Sequence, residues 1–186
     1  EHLLTREAAI KLLIDNLPVN TPVVSTTGMA SRELFEYRKA TNAGYQRDFL
    51  TVGGMGHASQ IATGIALAQP NNKVLCIDGD GAVLMHMGSL AISAKQANLI
   101  HVVINNGAHD SVGGQATVAE HLNLSKVAAD CGYGLISQAS TAQEVVKSIK
   151  ASMHAKCSVF IEVKCKCGAR TDLGRPDRTP SANKLD

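Results

Sequence analysis

The sequence predicts an α/β domain of three layers, with a mostly parallel six-stranded sheet carrying helices on both faces. Short β-branched runs alternate with longer helical patterns, the signature of βαβ units. The 186 residues, 45% hydrophobic, suffice for one such domain with a substantial core and are short for two full ones. Glycine-rich peptides follow several of the β-branched runs, where ligands sit in open parallel sheets.

In chain order, Ile10, Leu13, Ile14 and Leu17 share one face of a first helix, which Pro18 stops. Strands are predicted at Pro22–Ser25, Asp48–Val52, Lys73–Ile77, His101–Ile104, Gly134–Ser137 and Ser158–Val163. Helices fall between them at Ser31–Arg38, His57–Ala68, Met85–Gln96, Leu124–Asp130 and Gln143–Met153. Thr141-Ala-Gln-Glu144 reads as a capping box that opens the last helix. Composition shifts only after Lys164, where Gly, Arg, Asp and Pro accumulate, so residues 165–186 are read as a polar tail on a single domain spanning 1–186.

Lys+Arg at 18 against Asp+Glu at 16 leave a net charge of +2 with no basic block, which argues against nucleic acid as a partner. Aromatics at 3%, with no Trp, leave stacking platforms poorly supplied. Five cysteines, an odd number with no signal-peptide pattern, suggest structural thiols in the cytoplasm. No run approaches the about 18 apolar residues of a membrane span.

Chemistry concentrates in four peptides at predicted strand ends. Ile77-Asp78-Gly79-Asp80-Gly81-Ala82 is followed by a helix, a strand and Asn105-Asn106-Gly107-Ala108. Glycines let backbone approach an anion, and a helix start offers unpaired N–H groups. A carboxylate beside a phosphate cradle calls for a bridging divalent cation. Mg2+ suits the oxygens of Asp80, Asn106 and a carbonyl near Ala108. The second peptide, Val52-Gly53-Gly54-Met55-Gly56-His57, suggests something lying against bare backbone. The third, Ser25-Thr26-Thr27-Gly28-Met29, offers hydroxyls to phosphate through Thr27 and Gly28, with Arg32 in the next helical turn either facing a substrate anion or solvated. The fourth, His109-Asp110-Ser111-Val112-Gly113-Gly114-Gln115, makes His109 a candidate catalytic group, with a structural role as the alternative. His57, His86, His101 and His121 read as structural.

The GDG peptide, its helix and strand and the following NN resemble the diphosphate-binding motif of thiamine diphosphate enzymes. TTG-x-x-SRELFE, DFLTVGGMGHASQIA-x-GIA, NNGAHDSVGGQ-x-T and R-x-DLGRP-x-x-TP are similar to the phosphonopyruvate decarboxylase branch over nearly the whole chain. The resemblance implies thiamine diphosphate and Mg2+ as cofactors. The metal would lie on Asp80, Asn106 and the Ala108 carbonyl, and the diphosphate near Gly79, Gly81, Ala82, Thr27 and Gly28. The Gly53-Gly54 segment would accept the aminopyrimidine through the Gly53 carbonyl, with Met55 propping the cofactor's bend.

It further implies decarboxylation of 3-phosphonopyruvate to phosphonoacetaldehyde and CO2, in phosphonate biosynthesis. Arg32, Arg170 and Arg175 are candidates for the substrate anion. Only the diphosphate-binding half is recognisable, so the chain is expected to be a C-terminal half or β-type subunit. It would be inactive alone, part of a homo- or hetero-oligomer, and completed by a pyrimidine-binding domain or α-type subunit. Alternatives are a sulfopyruvate decarboxylase β-subunit and a non-catalytic nucleotide-binding module, the latter without a Walker or dinucleotide motif in support.

Overall fold

The computed structural model describes residues 3–177, 179, 181 and 182. In chain order the elements are β1 (Leu4–Thr5), α1 (Arg6–Asp15), β2 (Val23–Ser25), α2 (Met29–Ala40), β3 (Asp48–Leu50), α3 (Ala58–Ala68) and β4 (Val74–Gly79). There follow α4 (Asp80–Met85), α5 (Leu90–Ser93), β5 (Leu99–Asn105), β6 (Ala108–His109), β7 (Gln115–Ala116), α6 (Leu124–Asp130), β8 (Leu135–Ala139), α7 (Ala142–His154) and β9 (Val159–Lys166). Among the described residues no helix is long and apolar enough to cross a membrane.

The sheet is parallel throughout, in the order β1-β9-β5-β4-β2-β3, with β8 also paired to β9. All six predicted strands are present. The seventh, β1, pairs only Leu4 and Thr5 with the end of β9. Burial on both faces explains the largely apolar runs of β4 and β5, interrupted within β5 only by the buried His101, and their alternate side chains serve two different cores. Leu75 and Ile77 join the layer built on α1, α2 and α7, whereas Val74 and Cys76 pack with Ala58, Ala62 and Ala66 of α3. Val103 and Phe160 complete that second layer with Leu90, Leu124 and Tyr133. The i, i+4 alanines of α3 present no bulk, so this helix lies close on the sheet.

Local signals account for the helix ends. Thr5 caps α1 by accepting the Ala8 N–H at 3.1 Å. The Thr141–Glu144 capping box is formed in both directions. The helix expected at Met85–Gln96 is not continuous. Helix α4 starts at Asp80 directly off β4, and His86 leaves helical geometry at φ −135°, ψ 46°. A 3-10 turn over Met87–Ser89, containing Gly88, then leads into the single turn of α5. The tail boundary also moves: Cys165 and Lys166 are the last residues of β9, so the tail begins at Cys167. The tail's residues 183–186 lie outside the described residues.

Chain order and sheet order together locate the site. From β2 the chain steps outward to β3, returns over α3 to β4 on the other side of β2, and continues away to β5. The path therefore reverses between β2 and β4, and a crevice opens beyond their carboxyl ends.

Candidate functional site

The crevice between β2 and β4 is a small cleft bordered by Thr26, Thr27, Met55, the Asp78–Ala82 turn, Asn106, Ala108 and His109. Nine of the residues singled out from sequence thus meet on one cleft: Thr27, Met55, Gly79, Asp80, Gly81, Ala82, Asn106, Ala108 and His109. Gly28 stands beside it as the residue preceding α2, at φ +102°, with Ser111 3.1 Å from where its Cβ would be. Gly53 and Gly54 are exposed, and the Gly53 N–H donates to Thr27 Oγ1 at 3.2 Å, tying two of the loops together.

Asp80 is 2% exposed, and its one side-chain donor among the described hydrogen bonds is the Thr117 hydroxyl at 2.5 Å. Among the described residues it forms no ion pair. Burial pushes its carboxyl above the ordinary value, against the opposing pull of the Thr117 hydroxyl and the Gly81 and Asp80 amides. Burying a carboxylate outside any ion pair is costly even with His109 nearby, and a divalent ion beside it reverses that cost. The Thr26 hydroxyl, also on the cleft, is buried without a hydrogen-bond partner. A Cβ on Gly79 would meet no atom within 4 Å, so side-chain-sized space lies beside the turn. The imidazole of His109 covers the first turn of α4, and a Cβ on Gly81 would lie 2.4 Å from its Cε1.

The Asn105-Asn106 turn is held from both sides. Asn105 donates to Glu162 Oε1 at 2.8 Å and accepts the Gly107 N–H, while Asn106 donates to Asp110 Oδ2 at 2.7 Å and accepts the Ala108 N–H at 3.3 Å. Glu162 also takes Lys164 at 2.7 Å and Ser125 at 2.9 Å. Burial alone would raise its pKa, but these three hydrogen bonds outweigh it and hold the carboxyl below its ordinary value. The stability this contributes is fully present above the unfolded value and is lost as pH falls through the lower folded value. Glu162→Gln is expected to cost about 1–3 kcal/mol at pH 7. In urea titrations the difference from the parent should shrink as pH falls below the ordinary 4.5 and vanish once it is under the lower folded value.

The structure does not bring the three sequence-selected arginines to the cleft. Arg32 is half-buried on α2, Arg175 is exposed, and Arg170 is exposed and paired with Glu7, Glu36 and Asp172. Among the described residues the arginine that does line the cleft is Arg6, 6% exposed, bound to Glu33 at 2.8 Å and to Asp110 at 2.7 Å. Arg6, Glu33, Asp110 and Thr117 are missing from the sequence-derived set. Asp110 and Thr117 sit in the NNGAHDSVGGQ-x-T block and could have been drawn from it, whereas nothing local marks Arg6, 104 residues from Asp110. His101 is structural, buried between Asp78 and the Tyr133 hydroxyl. His57 and His86 pack together with ring centroids 4.2 Å apart beside the glycine loop.

Residues 26–163 match the family described as thiamine pyrophosphate enzyme, C-terminal TPP binding domain. The phosphonopyruvate decarboxylase of Streptomyces viridochromogenes is 38% identical over 179 residues, which cover 95% of this chain and 44% of that protein. The sulfopyruvate decarboxylase subunit beta of Methanocaldococcus jannaschii is 36% identical over 156 residues, covering 82% of this chain and 79% of that subunit. The crystal structure of benzoylformate decarboxylase from Polynucleobacter necessarius superposes with a TM-score of 0.74 at 17% identity, over 88% of this chain and 33% of that one, a likeness of fold. The chain spans less than half the length of the phosphonopyruvate decarboxylases it matches. With Asp80, Asn106 and most of its length inside the matched stretch, the chain belongs to the family of C-terminal TPP-binding domains of thiamine pyrophosphate enzymes.

Proposed function

We propose that this chain is the diphosphate- and metal-binding half of a decarboxylase acting on 3-phosphonopyruvate, with phosphonoacetaldehyde and CO2 as products. The observation that carries the cofactor reading is the buried, ion-pair-free carboxylate of Asp80 beside the unpartnered Thr26 hydroxyl. The substrate reading rests on the likeness to phosphonopyruvate decarboxylase over 95% of the chain, against 82% for the sulfopyruvate subunit. The 79% coverage of that separate subunit supports a second reading, in which the chain acts as a β-type subunit beside a separate pyrimidine-binding subunit.

When bound, thiamine diphosphate supplies the electron sink that lets a 2-oxo acid lose CO2. The chain's own residues do the rest of the work proposed here. Asp80, Asn106 and the Ala108 carbonyl hold Mg2+ through three oxygens, which suits a hard octahedral cation. The Gly81 and Ala82 amides and the Thr26 and Thr27 hydroxyls receive phosphate oxygens. Met55 offers an apolar body beside the Gly53 carbonyl, where the aminopyrimidine would lie. His109 is a titratable group on the cleft wall, positioned to hold or deliver a proton there. A pyrimidine-binding domain or α-type subunit contributes the opposite wall.

The test is a steady-state comparison of phosphonopyruvate with sulfopyruvate in the complete enzyme, and of this chain with and without its complementary half. Aldehyde is expected only when both halves are present, with a higher kcat/KM for phosphonopyruvate. Turnover by the chain alone would overturn the half-site reading. A higher kcat/KM for sulfopyruvate would overturn the substrate assignment.

A further inference from the structure

Asp110 Oδ2 is the point where three separate parts of the chain converge. It accepts Arg6 Nη1 at 2.7 Å, Asn106 Nδ2 at 2.7 Å and the Gly168 backbone N–H at 3.1 Å. Arg6 is further locked by two bonds to Glu33, at 2.8 and 3.0 Å, and Cys167 Sγ donates to the Asn106 carbonyl at 2.9 Å. Arg6 and Gly168 both lie outside residues 26–163, so α1 and the tail add this clamp to the part of the chain that matches the family.

A side-chain amide has two faces of opposite character, and the one it turns to a cation decides whether it binds. Asp110 as a carboxylate accepts only, so the Asn106 NH2 must face it and Oδ1 must turn the other way. Oδ1 then accepts one N–H, from Ala108, and keeps a lone pair for a metal. With the amide reversed, two donors would face the cation and the carbonyl oxygen would oppose a carboxylate. The guanidinium of Arg6 matters for a second reason. Asp110 itself borders the cleft and could otherwise swing onto the cation in place of Asn106.

We infer that Asp110 is a positioning residue of the cation site: it sets which face of the Asn106 amide is offered to the metal, and Arg6 and the Gly168 N–H hold it to that task. The inference rests on the reading of Asn106 as a cation ligand. It assigns a role in the site to the amino-terminal helix and to the tail.

The experiment measures Mn2+ affinity by the electron paramagnetic resonance signal of the free ion, in the complete enzyme with thiamine diphosphate present. Asp110→Asn is expected to weaken Mn2+ binding by roughly 10–100-fold, the usual effect of losing a partner that orients a metal ligand. Gly168→Pro removes the N–H and also cannot keep the φ of +96°, so it displaces the exposed tail locally beyond the end of β9, and it should weaken binding several-fold. Asp80→Asn is the control for the site itself. If it binds Mn2+ as tightly as the parent, the cation-site reading falls, and this inference with it. If it abolishes binding while Asp110→Asn stays within twofold of the parent, the site stands and the positioning role of Asp110 is overturned. A lowered melting temperature with unchanged Mn2+ affinity overturns it equally, because a purely structural carboxylate would behave that way. Should Asp110→Asn fail to fold, Gly168→Pro decides by the same twofold threshold.

Discussion

Replacing Asp80 by Asn is expected to weaken Mg2+-dependent binding of thiamine diphosphate by more than about 100-fold, beyond what the loss of an outer-shell partner costs. Asn keeps the shape and still accepts the Thr117 hydroxyl, so the loss isolates the charge. The cofactor-free protein should respond in the opposite sense. Because burial holds the Asp80 carboxyl above its ordinary 3.8, the unfolded chain ionises first as pH rises, and stability falls from about 3.8 up through the higher folded value. Asp80→Asn removes that loss, so the apo protein at pH 7 should unfold at the same or a higher urea concentration than the parent. Calorimetric titration of the cofactor with and without Mg2+, together with apo urea curves, checks both signs. Retained Mg2+-dependent affinity would remove Asp80 from the metal site.

Gly56→Ala is expected to cost about 2–5 kcal/mol in urea unfolding, from left-handed backbone strain of about 1–2 and overpacking of about 1–3. Gly56 sits at φ +89°, and its Cβ would fall 2.8 Å from the Ala82 carbonyl oxygen and 3.2 Å from His86 Nδ1. The obstructing oxygen belongs to the first turn of α4, which cannot yield without moving Ala82, a residue that lines the cleft. Gly53→Ala is the matched comparison. Gly53 shares a positive φ of +70° but would meet nothing within 4 Å, so only the strain of about 1–2 kcal/mol applies. Equal losses at the two positions would show that the glycine loop does not pack on α4.

What the sequence revealed follows from what each feature depends on. The strands β4, β5 and β9 and the helix α6 were legible because their apolar patterns are local and unambiguous. Asp80 and Asn106 were legible because a glycine-flanked carboxylate and an Asn pair recur at two successive strand ends. The break at His86 was not, since the apolar spacing from Met85 to Gln96 fits one continuous helix. Arg6 was hidden for another reason: its partners are 27 and 104 residues away, and only the folded sheet brings Glu33 and Asp110 to it. The antiparallel β6–β7 ribbon was hidden because two-residue strands carry no periodicity, although Gly113 and Gly114 at φ +121° and +76° mark its turn.

The last strand among the described residues, β9, is an interior strand of the sheet, which has a consequence for synthesis. Strand β9 pairs with β5 along Ile100–Asn105 on one side, and with β8 and then β1 on the other. Until residues 159–166 have left the ribosome, β5 presents an open hydrogen-bonding edge and β8 has no partner. A nascent chain at that stage holds two unsatisfied edges and the apolar side chains meant to flank them, the condition in which chains pair with one another. Closure then comes in a single late event, as β9 inserts between strands that are already made. A chain cut short before Val159 would lose the insert that joins β5 to β8, and with it the cleft's support from Glu162 and Gly168.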